Sequence, residues 1–585
     1  MCGIFGYVGN KRVVPKIILE GLKTLEYRGY DSWGVAVGSD EKLSFEKNTG
    51  KVGSAKSHLP QSMLGIGHTR WATHGGVTKS NAHPHLSCDA KLAIVHNGII
   101  ENYQKLKKSL KRSHKFKSET DTEVAIHLIE EESREKDLAN AVRTAFRRLK
   151  GLNAIVVLSS DGQILAARRG SPLVLGIGDG AYFVASDPAA VLPHTKKAVF
   201  LEDNQMAAIE SDGIKMLNIK SGETVKPKIQ DLQGEVEEAK LGKFKHFMLK
   251  EIFEQPGVIK SIAKNYDEQI KNLAKAIREA KGTFLIGCGS ASYAALAGQY
   301  LFSRIARTHV NFSIGSEFNY LEHYLNRQSL VIAISQSGET IDVVEPITNA
   351  KKKGVKIVAL TNVLGSTLYR IANHKVLLGA GQEVAVCATK SFIAMVSVLI
   401  LLAHQMDGDG KRAKLSLKKA AQNISDMLRS RYLNQIKKLA KKIYKQEHLY
   451  VIGRGLSYAA ALEATLKLKE VPYVHSEGFA GGELKHGVIA LIEKGTPVIV
   501  FAPKDETHEA IISNAIEIKS RGGYIIGVSP VKNEAFDYYL PTADVQDASV
   551  IPNVVVAQLL SYFLALNRGL EPDKPRNLAK SVTVK

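Results

Sequence analysis

Residues 284–295 read Phe-Leu-Ile-Gly-Cys-Gly-Ser-Ala-Ser-Tyr-Ala-Ala, and residues 450–460 read Tyr-Val-Ile-Gly-Arg-Gly-Leu-Ser-Tyr-Ala-Ala. The step from Gly287 to Gly453 is 166 residues, and a second pair of matching stretches, 330–340 and 497–507, has a nearly equal offset. A third apolar run follows a glycine in each copy, at Gly354 and at Gly523. The second half of the chain is therefore predicted to be a duplicated domain.

Each copy alternates an apolar strand, a polar loop and an amphipathic helix, which predicts a doubly wound α/β domain with a parallel sheet. Ligands of such sheets bind at the carboxyl ends of the strands. There the first copy has Ser335-Gln-Ser-Gly-Glu-Thr and the second has Ala502-Pro-Lys-Asp-Glu-Thr. Only the first loop indicates a phosphate cradle, in which hydroxyls and helix N-terminal N–H groups converge. An ordinary helix cap by Ser337 or Thr340 is the alternative.

The chain of 585 residues is long enough for three globular units. The first 215 or so residues alternate short β-branched runs with turns and a few helical stretches, which is typical of layered sheets and helices. Between Ser221 and Phe244 charges replace the apolar periodicity, which indicates a linker. The predicted organisation is a first domain at 2–218, a linker at 219–245, two repeat domains at 274–413 and 440–575, and a C-terminal tail at 576–585.

Composition excludes several function classes. With 44% hydrophobic and 23% charged residues, no unbroken membrane-length apolar run and no secretory leader, the sequence predicts a cytoplasmic protein with no membrane partner. The net charge of +21 raises nucleic acid as a partner. However, the lysines lie in pairs and triplets along apparent helices without interleaved aromatics, which favours a solvated basic surface and an anionic substrate over nucleic acid.

The four cysteines have no paired CxxC spacing and the histidines have no metal-ligand spacing. The sequence therefore predicts no disulfide framework, no metal site and no organic cofactor.

Cys2 becomes the N-terminal residue if Met1 is removed. Its α-amino group, which titrates near neutral pH, could then accept the thiol proton and activate attack on an amide carbon. A buried cysteine in a first strand is the alternative. The residues around Cys2 decide between these interpretations.

Six stretches occur in order: Cys2-Gly-Ile-Phe-Gly-Tyr, Glu26-Tyr-Arg-Gly-Tyr-Asp-Ser, Gly67-His-Thr-Arg-Trp-Ala-Thr-His-Gly, Asn81-Ala-His-Pro-His, His96-Asn-Gly-Ile-Ile-Glu-Asn and Ser118-Glu-Thr-Asp-Thr-Glu. Together they resemble the N-terminal-nucleophile glutaminase domain of class II amidotransferases. The resemblance implies an αββα layer fold with Cys2 as nucleophile.

The same resemblance assigns further residues of the glutaminase domain. Arg70 is expected to pair with the α-carboxylate of glutamine and Asp121 with its α-amino group, opposite charges that suit a zwitterion. Asn97 and Gly98 are expected to form the oxyanion hole. The remaining expected positions of the glutamine pocket are Trp71, Thr73, His74 and His83.

The duplicated half resembles the sugar isomerase (SIS) domain, which binds phosphosugars. This resemblance rests on the duplication, on Gly287-Cys-Gly-Ser and on Ser335-Gln-Ser-Gly-Glu-Thr. The residues expected to bind the sugar phosphate are Ser290, Ser335, Gln336, Ser337, Thr340 and Val386.

The last third of the chain contains Glu463-Ala-Thr-Leu-Lys-Leu-Lys-Glu, Gly482-Glu-Leu-Lys-His-Gly and the ending Pro575-Arg-Asn-Leu-Ala-Lys-Ser-Val-Thr-Val-Lys. With these stretches the whole chain resembles the glutamine:fructose-6-phosphate aminotransferase family. The resemblance implies L-glutamine and D-fructose 6-phosphate as substrates and a homodimer. It also implies that Trp71 gates an ammonia channel.

In that family a lysine matching Lys580 forms a Schiff base with the sugar ketone, and a carboxylate matching Glu470 moves a proton between C1 and C2. A histidine matching His486, from the neighbouring subunit, opens the ring, and Lys485 supports these groups. Without the resemblance, Lys580 would be a solvated tail lysine and Glu470 a surface charge.

Two positions depart from the family pattern, since Ala291 and Ala388 each replace a hydroxyl residue. They leave open a different ketose phosphate as acceptor. A non-enzymatic sugar-phosphate sensor is a further alternative, but it would not need Cys2, Glu470 or Lys580.

Overall fold

The structure, a computed structural model, describes residues 2–39, 42–232 and 241–583. The chain divides into two compact units, one with residues 1–237 and 581–585 and the other with residues 238–580.

The first unit contains two large sheets flanked by helices. Its strands are β1 (Gly3–Gly9), β2 (Ser32–Ser39), β3 (Lys42–Thr49), β4 (Leu64–Arg70), β5 (His85–Leu86), β6 (Leu92–Gly98), β7 (Asn153–Ser159), β8 (Ile164–Arg169), β9 (Val174–Ile177), β10 (Ala181–Ala185), β11 (Lys197–Phe200), β12 (Gln205–Glu210), β13 (Gly213–Asn218), β14 (Thr224–Val225) and β15 (Gln230–Asp231). Its helices are α1 (Lys16–Thr24), α2 (Tyr103–Lys108), α3 (Asp121–Glu132), α4 (Leu138–Arg148) and α5 (Pro188–Val191).

The strand order is β15-β11-β9-β10-β1-β4-β2-β3 in one sheet and β14-β13-β12-β8-β7-β6-β5 in the other. One apolar cluster, including Ile4 and Val156, contains side chains of both sheets. A second packs α1 on the first sheet, and a third packs α3 and α4 on the second sheet. These three layers of core confirm the αββα fold.

Part of the predicted linker belongs to these sheets. Strand β14 pairs with β13 and strand β15 pairs with β11, so residues 224–225 extend the second sheet and residues 230–231 extend the first. Residues 233–240 of the predicted linker lie outside the described residues.

The second unit contains two parallel sheets among long helices. Its strands are β16 (Gly282–Gly287), β17 (Asn311–Ile314), β18 (Ser329–Ser335), β19 (Lys356–Thr361), β20 (His374–Leu377), β21 (His448–Gly453), β22 (His475–Ala480), β23 (Pro497–Phe501), β24 (Tyr524–Ser529) and β25 (Tyr538–Pro541). Its helices are α6 (Phe247–Asn265), α7 (Asp267–Glu279), α8 (Ser290–Leu301), α9 (Gly315–Leu321), α10 (Ile341–Lys352), α11 (Thr367–Ile371), α12 (Lys390–Asp407), α13 (Gly410–Met427), α14 (Ser430–Ile443), α15 (Leu456–Glu470), α16 (His508–Lys519) and α17 (Val550–Asn567).

The two sheets have the same topology. Their orders, β17-β16-β18-β19-β20 and β22-β21-β23-β24-β25, place the strands in the order 2-1-3-4-5. All the pairings are parallel. This is the flavodoxin-like doubly wound arrangement and confirms the fold predicted from the repeat.

The repeat aligns by backbone geometry one residue away from the apparent Ser-Tyr-Ala-Ala match. Gly289 (φ 55°) precedes α8 and Gly455 (φ 53°) precedes α15 in the same left-handed conformation, which favours glycine. A Cβ on Gly287 would overlap Ala291, and one on Gly453 would overlap Ser457. Ala291 and Ser457 are therefore equivalent, with an offset of 166 residues. The offset is 167 in the next strand, because Val331 and Val498 pair with the equivalent residues Phe284 and Tyr450.

Two helical segments are long and apolar enough to be candidate membrane spans, α12 and residues 546–567. They are 83% and 94% buried inside the second unit, as expected of core helices. Their length and composition alone are weak evidence for a membrane.

Candidate active sites

Cys2 lies just before β1, beside the end of β4. The backbone N–H of Trp71 donates to Cys2 Sγ at 3.4 Å. The Cys2 carbonyl accepts hydrogen bonds from Arg28 Nε at 3.1 Å and from Asn97 Nδ2 at 3.0 Å. The nucleophile predicted from sequence is therefore held by groups from three separate parts of the chain. Met1 lies outside the described residues, so its removal stays a prediction.

The predicted oxyanion pair ends β6. Asn97 is buried and its amide nitrogen already points to Cys2. Gly98 has φ 140°, and a Cβ there would overlap the carbonyl of Leu152. Only glycine fits at this end of β6, where Gly98 lies opposite Asn153 of β7.

Arg70, at the end of β4, organises the loop that follows it. Its guanidinium donates to the carbonyls of His74, Gly75 and Gly76. Burial lowers the pKa of Arg70, whereas attraction to neighbouring groups, among them Cys2 and Asp121, raises it. Arg70, Cys2 and Asp121 are thus close enough to share one electrostatic environment.

Asp121 is the first residue of α3, where a carboxylate interacts favourably with the helix dipole. Its Oδ2 accepts a hydrogen bond from the backbone N–H of Ile100 at 2.7 Å. The arrangement offers a cation and an anion to a zwitterionic amino acid.

The remaining predicted pocket residues differ in exposure. On the loop after β4, Trp71 and His74 are half-buried and Thr73 is exposed. His83 is buried, with Nε2 2.9 Å from Thr122 Oγ1 and its ring tilted by 34° to that of His68 at 4.3 Å between centroids. Burial lowers the pKa of His68 to about 3 and that of His83 well below the usual value, so both rings are neutral.

In the second unit, the loop Ser335–Thr340 follows β18, a central strand. Ser335 Oγ accepts from the N–H of Gly338 at 3.1 Å and lies 3.1 Å from Thr340 Oγ1. Ser337 Oγ accepts from the N–H of Glu339 at 3.1 Å. Thr340 makes no side-chain cap on α10, which argues against the capping alternative for this residue.

Ser290 lies at the same edge of the sheet, because β16 pairs with β18 in parallel and α8 starts directly after β16. Its Oγ donates to Glu463 Oε1 at 2.9 Å. This bond joins the first repeat to α15 of the second repeat.

Lys467 is fully buried on α15 and links the acidic residues there. Its Nζ donates to Glu470 Oε2 at 2.5 Å and to Ser290 Oγ at 3.2 Å, and lies 3.4 Å from Glu463 Oε1. Burial alone would lower the pKa of Lys467, but the two carboxylates raise it above its usual value. A charged lysine therefore fixes Glu470, the predicted proton-transfer residue, at the end of α15.

Lys580 is buried, with 3% of its side chain exposed, although it lies in a polar tail. Its Nζ donates to the carboxylate of Glu383 and to the carbonyl of Ala385 at 2.7 Å. Burial would raise the pKa of Glu383, but Lys580 and the hydrogen bonds from Ser391 lower it to about 2. The tail lysine thus forms a buried, hydrogen-bonded ion pair with Glu383.

The tail is attached to the second unit just before Lys580. The Asp573 carboxylate accepts from the N–H groups of Phe247 and Met248, at 2.8 and 2.7 Å, and so caps α6. The Asp573 carbonyl accepts from the N–H of Val386 at 2.9 Å. The predicted sugar ligand Val386 therefore contributes at least its backbone to holding the tail.

Charged residues of both ion pairs, Lys467 with Glu470 and Lys580 with Glu383, belong to the same region as Cys387. Burial raises the pKa of this thiol, and Lys467, Glu470 and Lys580 all interact with it electrostatically. The predicted Schiff-base lysine and the predicted proton-transfer carboxylate thus belong to one region. Gln336 Oε1 is buried without a hydrogen-bond partner among the described residues.

Lys485 and His486 lie elsewhere on the second repeat, in the turn Gly481–His486. Both are exposed, and Lys485 forms an ion pair with Glu517 at 2.8 Å. Their catalytic assignments stay predictions.

Comparison with known families and proteins identifies the family of this chain. The glutamine amidotransferase domain family matches residues 52–241, and the SIS domain family matches residues 276–405 and 442–568. Glutamine–fructose-6-phosphate aminotransferase (isomerizing) of Pyrococcus horikoshii is 42% identical over 600 residues and covers all of both chains. The chain belongs to the glutamine–fructose-6-phosphate aminotransferase family. The Thermus thermophilus member is 40% identical over 609 residues, again with complete coverage of both chains.

A solved structure agrees with the assignment of the second unit to this aminotransferase family. The C-terminal domain of glucosamine-fructose-6-phosphate aminotransferase from Francisella tularensis has 30% identity and a TM-score of 0.53. It covers 57% of this chain and all of the solved chain.

Sequence reasoning missed three residues that contact the candidate aminotransferase residues. Glu463 and Lys467 lie four residues apart and share a helix face with Glu470, so their spacing was a usable signal. Glu383 lies in an irregular loop, and its role depends on a lysine 197 residues later. No local pattern predicts such a contact.

Proposed function

We propose that this chain converts L-glutamine and D-fructose 6-phosphate to L-glutamate and D-glucosamine 6-phosphate. Full-length similarity to relatives with this printed activity supports the reaction. The observation that carries the proposal beyond similarity is the burial of Lys580 against Glu383, because a buried tail lysine needs a chemical reason.

At the first site, Cys2 Sγ attacks the amide carbon of glutamine while its proton passes to the N-terminal amine. The oxyanion is stabilised by Asn97 Nδ2 and the N–H of Gly98. Arg70 and Asp121 hold the amino-acid end. The C–N bond then breaks with release of ammonia, and water hydrolyses the thioester to glutamate.

At the second site, the first-repeat loop binds the phosphate, with hydroxyls of Ser335, Ser337 and Thr340 as ligands. Lys580, as the free amine, attacks the sugar ketone and forms an imine with loss of water, and ammonia then displaces the lysine from the imine carbon. Glu470 then moves a proton from C1 to C2 of the product-side imine. Lys467 positions Glu470 but does not contact the reacting atoms.

Two further elements are part of the proposal. Ammonia passes from the first site to the second, with Trp71 as the gate, because protonated ammonia in bulk water is no nucleophile. The protein acts as a homodimer in which the exposed His486 opens the sugar ring in the partner's site.

The test follows the amide nitrogen. Wild type, Cys2→Ala and Lys580→Ala are incubated with amide-¹⁵N glutamine and fructose 6-phosphate, and both amino sugar and free ammonia are measured. Lys532→Ala, at an exposed position of the second repeat, is the matched control. Label is expected in glucosamine 6-phosphate with the wild type and the control only, and Lys580→Ala should still release ammonia.

The outcomes separate the two half-reactions. If the wild type releases ammonia but aminates a different ketose phosphate, the acceptor is wrong and the glutaminase proposal stands. If Cys2→Ala still hydrolyses glutamine, the nucleophile assignment is wrong.

A further inference from the structure

A cluster of Cys88, His114, His127 and Glu130 lies in the first unit, and the proposed reaction does not use it. Cys88 is in the loop between β5 and β6, and His114 is in the segment between α2 and α3. His127 and Glu130 lie one turn apart on α3. One donor atom from each residue lies within 4.8 Å of the other three.

The separations of these atoms match a tetrahedral site. Cys88 Sγ lies 3.4 Å from His114 Nδ1 and 3.8 Å from His127 Nδ1. Glu130 Oε2 lies 3.3 Å from His114 Nδ1 and 3.0 Å from His127 Nδ1. Bonds of about 2.0–2.3 Å to one zinc ion require tetrahedral ligand separations of about 3.3–3.8 Å. These four separations match the tetrahedral values to within a few tenths of an ångström, and the other two pairs of donor atoms lie within 4.8 Å of each other.

The groups behind the cluster also suit a metal. The second ring nitrogen of His114, Nε2, is 3.3 Å from Glu131 Oε1. The corresponding nitrogen of His127 is 3.9 Å from Glu123 Oε1. A carboxylate on the far nitrogen fixes the tautomer so that the near nitrogen can ligate, as in carboxylate–histidine–zinc arrangements. His114 has such a partner in Glu131, whereas His127 Nε2 is buried without a hydrogen-bond partner in the part of the chain that the structure describes, with Glu123 as the nearby carboxylate.

We propose that Cys88, His114, His127 and Glu130 bind one zinc ion that has a structural role. Thiolate, imidazole and carboxylate are all zinc ligands, and the sulfur disfavours magnesium or calcium. Four protein ligands fill the tetrahedron and leave no open position, which is typical of a structural site.

The ion would connect three segments that are distant in sequence. It would tie the loop at Cys88 and the segment at His114 to α3, which begins at Asp121. Zinc binding thus supports the helix whose first residue is proposed to bind the amino group of glutamine. No sequence motif indicates this site, because the ligands are spaced irregularly and Cys88 pairs with no second cysteine.

The first experiment measures metal content and affinity in the full-length protein. Mass spectrometry of the dialysed wild type should find about one zinc ion per chain. Cys88→Ser should lose it, whereas Cys288→Ser, at a half-buried cysteine of the second unit, should keep it. Wild-type protein that binds no zinc when Zn²⁺ is added would overturn the proposal, as would equal zinc binding by Cys88→Ser.

A second pair of variants tests the outer carboxylate without touching a ligand. Glu131→Gln should lower zinc affinity about 10–100-fold in competition with a chromophoric chelator. Glu132→Gln, at the next residue, which pairs with Lys136 instead, should leave it unchanged. Equal affinities in both variants would contradict the proposed role of Glu131.

Cobalt substitution identifies the ligand set independently of zinc content. Co²⁺ bound here should give a thiolate charge-transfer band that disappears in Cys88→Ser and persists in Cys288→Ser. A cobalt spectrum without that band would show that the metal lies elsewhere. Removal of the metal should also lower the unfolding temperature of the first unit, which is measurable even if glutamine hydrolysis proves absent.

Discussion

The two SIS repeats share a backbone but differ in the side chains at equivalent positions. Their sheets have the same strand order, and Gly289 and Gly455 cap equivalent helices with nearly identical dihedral angles. Yet the first repeat has the hydroxyl-rich loop after β18, while the second has Asp505 and Glu506 at the corresponding loop. Glu506 has its equivalent in Glu339 of the first loop, so the second loop differs by Asp505 in place of Gly338 and by Ala502 and Lys504 in place of the hydroxyl residues Ser335 and Ser337.

In the helix that follows the first strand of each repeat, the second repeat carries the functional candidates and the first does not. With the offset of 166 residues, Glu463, Lys467 and Glu470 of α15 correspond to Ala297, Leu301 and Arg304 in the first repeat. The charged triad of the second repeat is thus replaced by two apolar residues and an arginine. The two repeats thus carry different side chains on equivalent backbone positions: the first is proposed to bind phosphate and the second to move protons.

The largest expected effect comes from a substitution in α15 that tests whether the second repeat transfers the proton. Glu470→Gln should lower the rate of glucosamine 6-phosphate formation by about 10²–10⁴-fold, because the amide cannot transfer the proton, while glutamine hydrolysis continues. The matched control is Glu279→Gln, which makes the same change at the end of α7. The assignment is wrong if product formation by Glu470→Gln stays near the wild-type rate.

On acidification the amidotransferase unit is expected to unfold at a higher pH than the duplicated unit. Burial lowers the pKa of His68 to about 3 and lowers the pKa values of His83, His85 and His96. In the unfolded chain each of these histidines takes up a proton near pH 6.5, whereas in the folded chain it stays neutral at that pH. The contribution of these histidines to the free energy of unfolding is therefore fully present above about pH 6.5. It is lost as the pH falls below 6.5, by about 1.4 kcal/mol per pH unit for each histidine.

Fluorescence can follow this loss in one unit. The two tryptophans of the chain, Trp33 and Trp71, both lie in the first unit, whereas far-UV circular dichroism is dominated by the helix-rich second unit. The fluorescence transition should occur at higher pH than the dichroism transition. His85→Asn should move the fluorescence midpoint to lower pH, and coincident transitions would contradict the expectation.

A smaller effect tests the two loops directly. Thr340→Ala should raise the KM for fructose 6-phosphate about 10–100-fold with little change in kcat, since it removes one hydrogen bond to a charged phosphate. Thr507 is its equivalent in the second repeat, where its hydroxyl donates to Asp505 Oδ1 at 2.7 Å. Thr507→Ala should leave the KM unchanged, and equal effects of both changes would remove the functional asymmetry.

The smallest expected effect concerns the loop backbone. Gly338 has φ 66°, and a Cβ there would overlap the Ser366 hydroxyl, whereas the equivalent Asp505 has no positive φ. Gly338→Ala should destabilise the second unit by about 1–3 kcal/mol in denaturant unfolding. Gly408→Ala separates strain from overlap, because Gly408 has φ 88° with open space around it. Equal costs for both changes would show that overlap contributes nothing.

Sequence reasoning reached the fold class and most of the proposed site because both depend on local patterns. The repeat and the apolar strands predicted two parallel sheets, since strand–loop–helix order restricts the topology. Sequence reasoning missed the one-residue change in alignment between the repeats at Ala291 and Ser457, because only the backbone conformation at Gly289 and Gly455 shows which residues are equivalent. It also treated 219–245 as a linker, although β14 and β15 lie there, because two-residue strands carry no periodicity.

The sequence by itself thus determined the family, the layered and doubly wound folds, and the identities of Cys2, Arg70, Glu470 and Lys580 as candidate site residues. Only the tertiary structure decided that Lys580 is buried against Glu383, that Lys467 fixes Glu470, and that four scattered ligands meet around Cys88. The physical reason is the range of the contacts. Periodicity and capping act over a few residues, whereas these contacts join segments whose approach depends on the packing of whole sheets and helices.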